Sequence, residues 1–147
     1  MFIAIILACT VFSTDAKPAL EGVTPRPILM VSDMPADKLA VGPIYNNFSK
    51  AFLDTYMRRL AIVEIGGQKM TPNKTMKKEI SQEAFRLVVA DCFKDISFRN
   101  YLEMVDKPDD PRWRKVDQIS PELATKIGLN INKMVLRNID RYYDKVK

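Results

Sequence analysis

Histidine is absent from this chain of 147 residues. That absence excludes Ser-His and Cys-His catalysis, histidine-ligated zinc and the imidazole switch that titrates near neutral pH. Cysteine is almost as scarce: there are two, and Cys9 falls in the apolar N-terminus. An internal disulfide framework is therefore excluded, and the domain must stand on its core alone. Cys92, between Asp91 and Phe93 in an apolar stretch, reads as a small buried hydrophobe. Long apolar runs are missing too, since Phe2–Phe12 is well short of the roughly 20 residues that cross a bilayer squarely. Neither an internal repeat nor a catalytic motif is visible. An enzyme would have to work with Lys, Tyr, Asp or Glu, and the expectation is a non-enzymatic protein with no cofactor and no metal.

The chain does have an apolar start, "MFIAIILACTVFSTDAKPAL". Residues 2–12 match the apolar region of a signal peptide, and Thr14 and Ala16 occupy the small-residue positions read by a cleavage enzyme. Against this, only the terminal amine supplies positive charge, and Pro18 sits close to the proposed cut. Residues 1–16 are read as a signal peptide or a retained anchor, which makes the protein exported or membrane-associated. Residues 17–43 hold Pro18, Pro25, Pro27, Pro35 and Pro43, each of which removes a backbone donor and pushes the preceding residue toward extended geometry. They are expected to form an extended arm, with Ile28–Val31 able to pair as a short edge strand.

Residues 44–147 carry the domain, and they carry helical periodicity. Phe48, Phe52, Tyr56, Leu60 and Val63 step by threes and fours, predicting a helix from Ile44 to Ile65 stopped by Gly66-Gly67. The stretch "AIVEIGGQKM" reads secondarily as strand, glycine turn and strand. A second helix is predicted over Lys77–Val105, with Phe85, Val88, Val89, Cys92 and Ile96 on one face and an apolar stripe wide enough to need several neighbours. Ser120, Pro121 and Glu122 form a strong start signal, and Leu123, Ile127, Ile131, Val135, Ile139 and Tyr143 then run along one face to the C-terminus. The fold class expected is all-α: a small three-helix bundle with a proline-rich arm and an apolar leader.

With 47% apolar and 28% charged residues the chain has a globular composition. Its net charge of +5 is concentrated at the end, because residues 111–147 alone carry +5. Lys133, Arg137, Arg141 and Lys145 recur every four residues and predict a basic ridge beside the apolar stripe, with Asp140 and Asp144 placed to pair with Arg137 and Arg141. "PRWRK" sets Arg112, Arg114 and Lys115 around the single tryptophan, Trp113. That arrangement suits a membrane interface, a single-stranded nucleic-acid surface on which the ring stacks, or a plug at the base of the bundle. These eight residues are the candidate contact with an anionic partner. Asp106, Asp109, Asp110 and Asp117 invite comparison with a calcium loop, but Pro111 stands where glycine is required and Asp117 where a bidentate glutamate is required. Two glycosylation sequons occur, at Asn47 and Asn73, the latter in a polar loop.

The function expected from these features is docking. The chain contacts a protein partner or assembly neighbours, as in a virion shell or a membrane complex, through the basic C-terminal helix and the arm. A membrane surface is a second candidate partner, and a bundle this rich in Phe, Met and Ile could instead carry a small apolar ligand or lipid. Nucleic acid ranks last.

Overall fold

The computed structural model describes residues 27–59 and 63–147, the side chain of Arg59 excepted. The apolar leader and residues 17–26 of the arm lie outside the described residues. From residue 29 the chain is tied to the body. The Val31 N–H donates to the Ile96 carbonyl at 3.1 Å and the Phe98 N–H to the Leu29 carbonyl at 2.8 Å. A 3-10 turn (Val31–Asp33) and a short helix α1 (Ala36–Leu39) follow, and Val31 and Leu39 are fully buried. Residues 31–43 thus carry a 3-10 turn, α1 and the start of α2, anchored in the core by Val31, Leu39 and Ala40, where an extended arm was expected. The prolines here mark boundaries: Pro35 immediately precedes α1, and Pro43 lies in the first turn of α2 (Gly42–Tyr56), where no N–H is needed. Gly42 has φ +88°, and a Cβ there would sit 2.6 Å from Val105 Cγ1, so the entry to α2 requires glycine.

α2 ends in a 3-10 turn (Met57–Arg59) and does not continue to Ile65. Instead, strands β1 (Val63–Ile65) and β2 (Gln68–Pro72) form an antiparallel hairpin, with Ile65 opposite Gln68. Gly66 and Gly67 connect them at φ +57° and +78°. Paired left-handed residues give a two-residue turn whose twist matches that of the flanking strands. A third strand, β3 (Tyr143–Lys145), pairs with the other edge of β2, giving the order β1-β2-β3. The protein is therefore mostly helical with a three-stranded antiparallel sheet, and the all-α three-helix bundle is corrected accordingly.

Helix α3 (Lys74–Cys92) is the centre of the fold, with Met76, Ile80, Ala84, Phe85, Val88 and Val89 fully buried. It does not run on to Val105. Its last bond joins the Phe93 N–H to the Val89 carbonyl, and Ser97 opens helix α4 (Phe98–Val105) by accepting from the Asn100 N–H at 3.2 Å. Serine competes for backbone groups in this way at helix starts, and the break frees residues 96–98 to pair with residues 29–31. Helix α5 (Pro121–Arg137) starts as the sequence implies, with Ser120 Oγ accepting from the Leu123 N–H at 3.1 Å and Leu123, Ile127, Ile131 and Val135 buried. It stops at Asn138, whose Nδ2 donates back to the Met134 carbonyl at 2.8 Å. A single turn, α6 (Ile139–Tyr142), then leads into β3. α3 packs against α1, α2, α5 and α6, and the sheet joins the helices where β2 leads into α3 and where α6 leads into β3.

Candidate docking surface on the C-terminal helix

The "PRWRK" segment forms a 3-10 helix (Pro111–Asp117) opened by Asp110, whose carboxylate accepts from the Arg112 N–H at 2.9 Å and from the Arg112 guanidinium at 3.1 and 2.8 Å. Those hydrogen bonds hold the Asp110 carboxyl down at about 2. Trp113 turns inward. It is buried edge-on to Phe93 and Tyr101, with ring centroids at 5.5 and 5.8 Å, and its Nε1–H donates to the Met104 carbonyl at 3.0 Å. The indole is core, so it offers no face for stacking on a base or for insertion among headgroups. Arg112, Arg114 and Lys115 remain exposed. The Lys115 carbonyl accepts from the half-exposed Cys92 thiol at 3.3 Å, and burial followed by Asp91 pushes that thiol up.

The four-residue ridge is broken by Asn138. Lys133 and Arg137 lie on α5, Arg141 on α6 and Lys145 on β3, opposite Met70. Arg141 folds back on α3, its Nη1 and Nη2 reaching Glu79 at 3.3 and 2.5 Å, and the Tyr142 hydroxyl donates to the same carboxylate at 2.8 Å. Burial works to raise Glu79, but hydrogen bonds from Arg141 and Tyr142 outweigh it and hold the carboxyl below its usual range. Burial, then Glu79, pushes the Tyr142 hydroxyl up to about 12. Asp144 bonds Asn73 at 3.2 Å. Among the described residues neither Asp140–Arg137 nor Asp144–Arg141 forms an ion pair within 4.0 Å.

Asn73 is not a loop side chain. Its Oδ1 caps α3 by accepting from the Met76 N–H at 3.0 Å, while Nδ2 donates to the Arg141 carbonyl at 2.7 Å and to Asp144. The amide nitrogen that would carry a sugar is therefore a tertiary link. Asn47 is exposed on α2. Among the described residues, no group of three or more Cys, Asp or Glu is placed to hold a metal ion, and no helix is long and apolar enough to cross a membrane.

The outer face of α5 has a different character from the ridge that the spacing implied. Leu129 and Leu136 are 57% and 70% exposed, and Lys126, Lys133 and Arg137 flank them without an ion pair among the described residues. Sequence reasoning named two of the cations and missed the leucines. The signal was present: Thr125, Leu129, Asn132 and Leu136 step by four, three and four, offset from the buried stripe. Beside this face, α2 and α5 leave a groove of about 350 Å³ with Val88 of α3 at its floor. One wall is a ladder of rings, Phe48 on Phe52 at 5.9 Å and Phe52 on Tyr56 at 5.3 Å. The Tyr56 hydroxyl bonds Asn132 Oδ1 across the groove at 2.6 Å, and Gly128 leaves the facing wall bare.

No protein family model, curated protein or solved structure matches this chain. The functional reading therefore rests on the surface just described. A second cleft, of about 430 Å³, shares Phe48 with this groove and is lined by Asp109, Asp110, Asp117 and Arg114 among others. Along α5 itself, Glu122 lies in the first turn, Lys126 follows one turn later, and Lys133 and Arg137 lie toward the C-terminal end.

Proposed function

We propose that this chain is a non-enzymatic docking protein, exported or membrane-associated, that works by laying the outer face of α5 against another protein. The observation that carries the reading is the pair of exposed leucines, Leu129 and Leu136, on a helix whose opposite face is already buried. Large side chains grouped with cations on an otherwise polar face mark contact surfaces. An anionic leaflet is the weaker match. Each exposed cation contributes about 1 kcal/mol there, but Glu122 in the first turn of the same helix opposes it. A protein surface can answer both signs. Nucleic acid is disfavoured because Trp113, the residue that would stack, is buried. A subunit of a larger assembly, such as a virion shell or a membrane complex, is a natural setting, and the apolar leader supports export.

The test is the size of the native complex. In extracts of its own source, the chain should migrate in a species heavier than 16.8 kDa, and Leu136→Glu should shift it to the mass of the free chain with no change in thermal stability. A complex that survives Leu136→Glu and Leu129→Glu together would remove the basis for the reading. A carrier of a small apolar ligand is the second reading, favoured by the aromatic groove, and lipid retained in a native mass spectrum would support it.

A further inference from the structure

Resting on the export part of that reading, we infer that the mature chain carries an N-linked glycan on Asn47, and on Asn47 alone. Two triplets of the form Asn-X-Ser/Thr occur, Asn47-Phe48-Ser49 and Asn73-Lys74-Thr75, and each is the acceptor sequence of a secretory glycosyltransferase. The co-reactant is a lipid-linked oligosaccharide diphosphate. The amide nitrogen Nδ2 attacks its anomeric carbon, the new C–N bond replaces the bond from that carbon to the diphosphate oxygen, and the lipid diphosphate leaves. The amide proton passes to a base on the transferase. Transfer takes place on the unfolded chain, so both triplets are offered and the fold decides which product is kept.

The two amides have opposite surroundings. Asn47 is exposed on α2, and its side chain makes no hydrogen bond among the described residues. Its neighbours Tyr45 and Phe48 hold the helix to Phe85 of α3, each with ring centroids at 5.2 Å, so a sugar on Asn47 displaces nothing. Asn73 has both amide protons engaged, on the Arg141 carbonyl at 2.7 Å and on Asp144 at 3.2 Å. A glycan replaces one of those protons and sets a sugar ring between α3 and β3, so a chain modified at Asn73 cannot close the junction that fastens β3. The space beside Asn47 is polar as well. Asn47 lines the cleft of about 430 Å³ between α2 and residues 108–117. Asp109 and Asp117 of that cleft are exposed and form no ion pair among the described residues, which leaves their oxygens to accept from sugar hydroxyls. The groove between α2 and α5 is lined without Asn47, so the glycan covers the cleft and leaves the outer face of α5 open.

Expression of the full chain in cultured mammalian cells, with peptide N-glycosidase treatment of the protein in the medium and in the membrane fraction, tests this inference. The wild type should shift on a gel by the mass of one glycan, and peptide mass mapping should find Asn47 converted to Asp with Asn73 unchanged. Ser49→Ala keeps both asparagines and removes the hydroxyl that completes the first triplet, and should abolish the shift. Asn47→Gln, at an exposed position, should do the same. Thr75→Ala, also exposed and outside the Asn73 hydrogen bonds, should keep the shift in full. The glycosylated chain should still enter the native complex, and its exclusion would overturn the placement of the glycan over the cleft. An exported wild type with no shift or with two glycans, or a shift lost in Thr75→Ala and kept in Ser49→Ala, would overturn the inference and leave the docking reading standing. A chain found only in the cytosol, with residues 1–16 uncut and no glycan, would overturn the inference and the export reading together.

Discussion

Replacing Asn73 with alanine cuts three hydrogen bonds that reach α3, α6 and β3 from one point. Oδ1 caps α3 through the Met76 N–H, and Nδ2 holds the carbonyl of Arg141, next to β3, and the carboxylate of Asp144 within it. Loss of an N-cap costs about 1 kcal/mol. The 2.7 Å bond to the Arg141 carbonyl contributes about 1 kcal/mol more, and the exposed bond to Asp144 adds little because water replaces it. Asn73→Ala should therefore lose about 2–3 kcal/mol in urea denaturation at pH 7, or about 4–12 °C in Tm. The backbone bond from the Asn73 N–H to the Tyr142 carbonyl, 2.9 Å, survives the substitution, so β3 should loosen without detaching. Hydrogen exchange at the Val146 N–H, which donates to the Lys69 carbonyl at 3.0 Å, should quicken more than exchange along α3. Asn73→Asp separates the contributions: it keeps the cap and gains from the helix dipole, but loses both donors and faces two oxygens. Its loss should be about 1–2 kcal/mol, confined to the β3 side. If Asn73→Ala costs under about 0.5 kcal/mol and exchange at Val146 is unchanged, the claim that one side chain fastens the C-terminal strand is wrong.

Three further outcomes can be measured. Tyr101→Phe removes the 2.6 Å donor to the Leu39 carbonyl, which still accepts from the Val41 N–H at 2.9 Å, and should lose about 0.5–1.5 kcal/mol in the same denaturation. Gly42→Ala forces φ +88° on a residue with a Cβ that collides with Val105, and should cost about 2–4 kcal/mol, read as a lower Tm with the helical circular dichroism retained. Glu79→Gln tests linkage. The folded carboxyl lies below its ordinary 4.5, so its contribution is present above that value and fades as pH falls through the folded pKa. The wild type should exceed the variant by about 0.5–1 kcal/mol at pH 7, the difference shrinking as acid is added and as salt screens the half-exposed pair.

The helices were legible wherever a cap and a periodic stripe coincided. Ser120, Pro121 and Glu122 announced α5 correctly, and the apolar width of α3 announced its central place. What failed was persistence, because periodicity alone does not say where a helix ends. The pattern through Ile96 and Phe98 continues across a break set by Ser97, and the pattern through Ile139 and Tyr143 continues across one set by Asn138. In both cases a small polar side chain bonding its own backbone overrides an apolar rhythm that remains intact. The hairpin was written in Gly66-Gly67, but β1 has only three residues, and β3, which pairs with the other edge of β2, lies more than 70 positions away from it. No local window contains that pairing. The basic ridge failed for the same reason as the long third helix, since four-residue spacing places Arg141 beside Arg137 only if the helix continues. With the break in place Arg141 becomes a fastening for α3, and the surface left on α5 is partly apolar. Charge counted along the sequence therefore drew as one ridge four cations that the fold divides among α5, α6 and β3. Leu129 and Leu136, which periodicity set aside as off-stripe, are the exposed apolar residues on which the proposed docking rests.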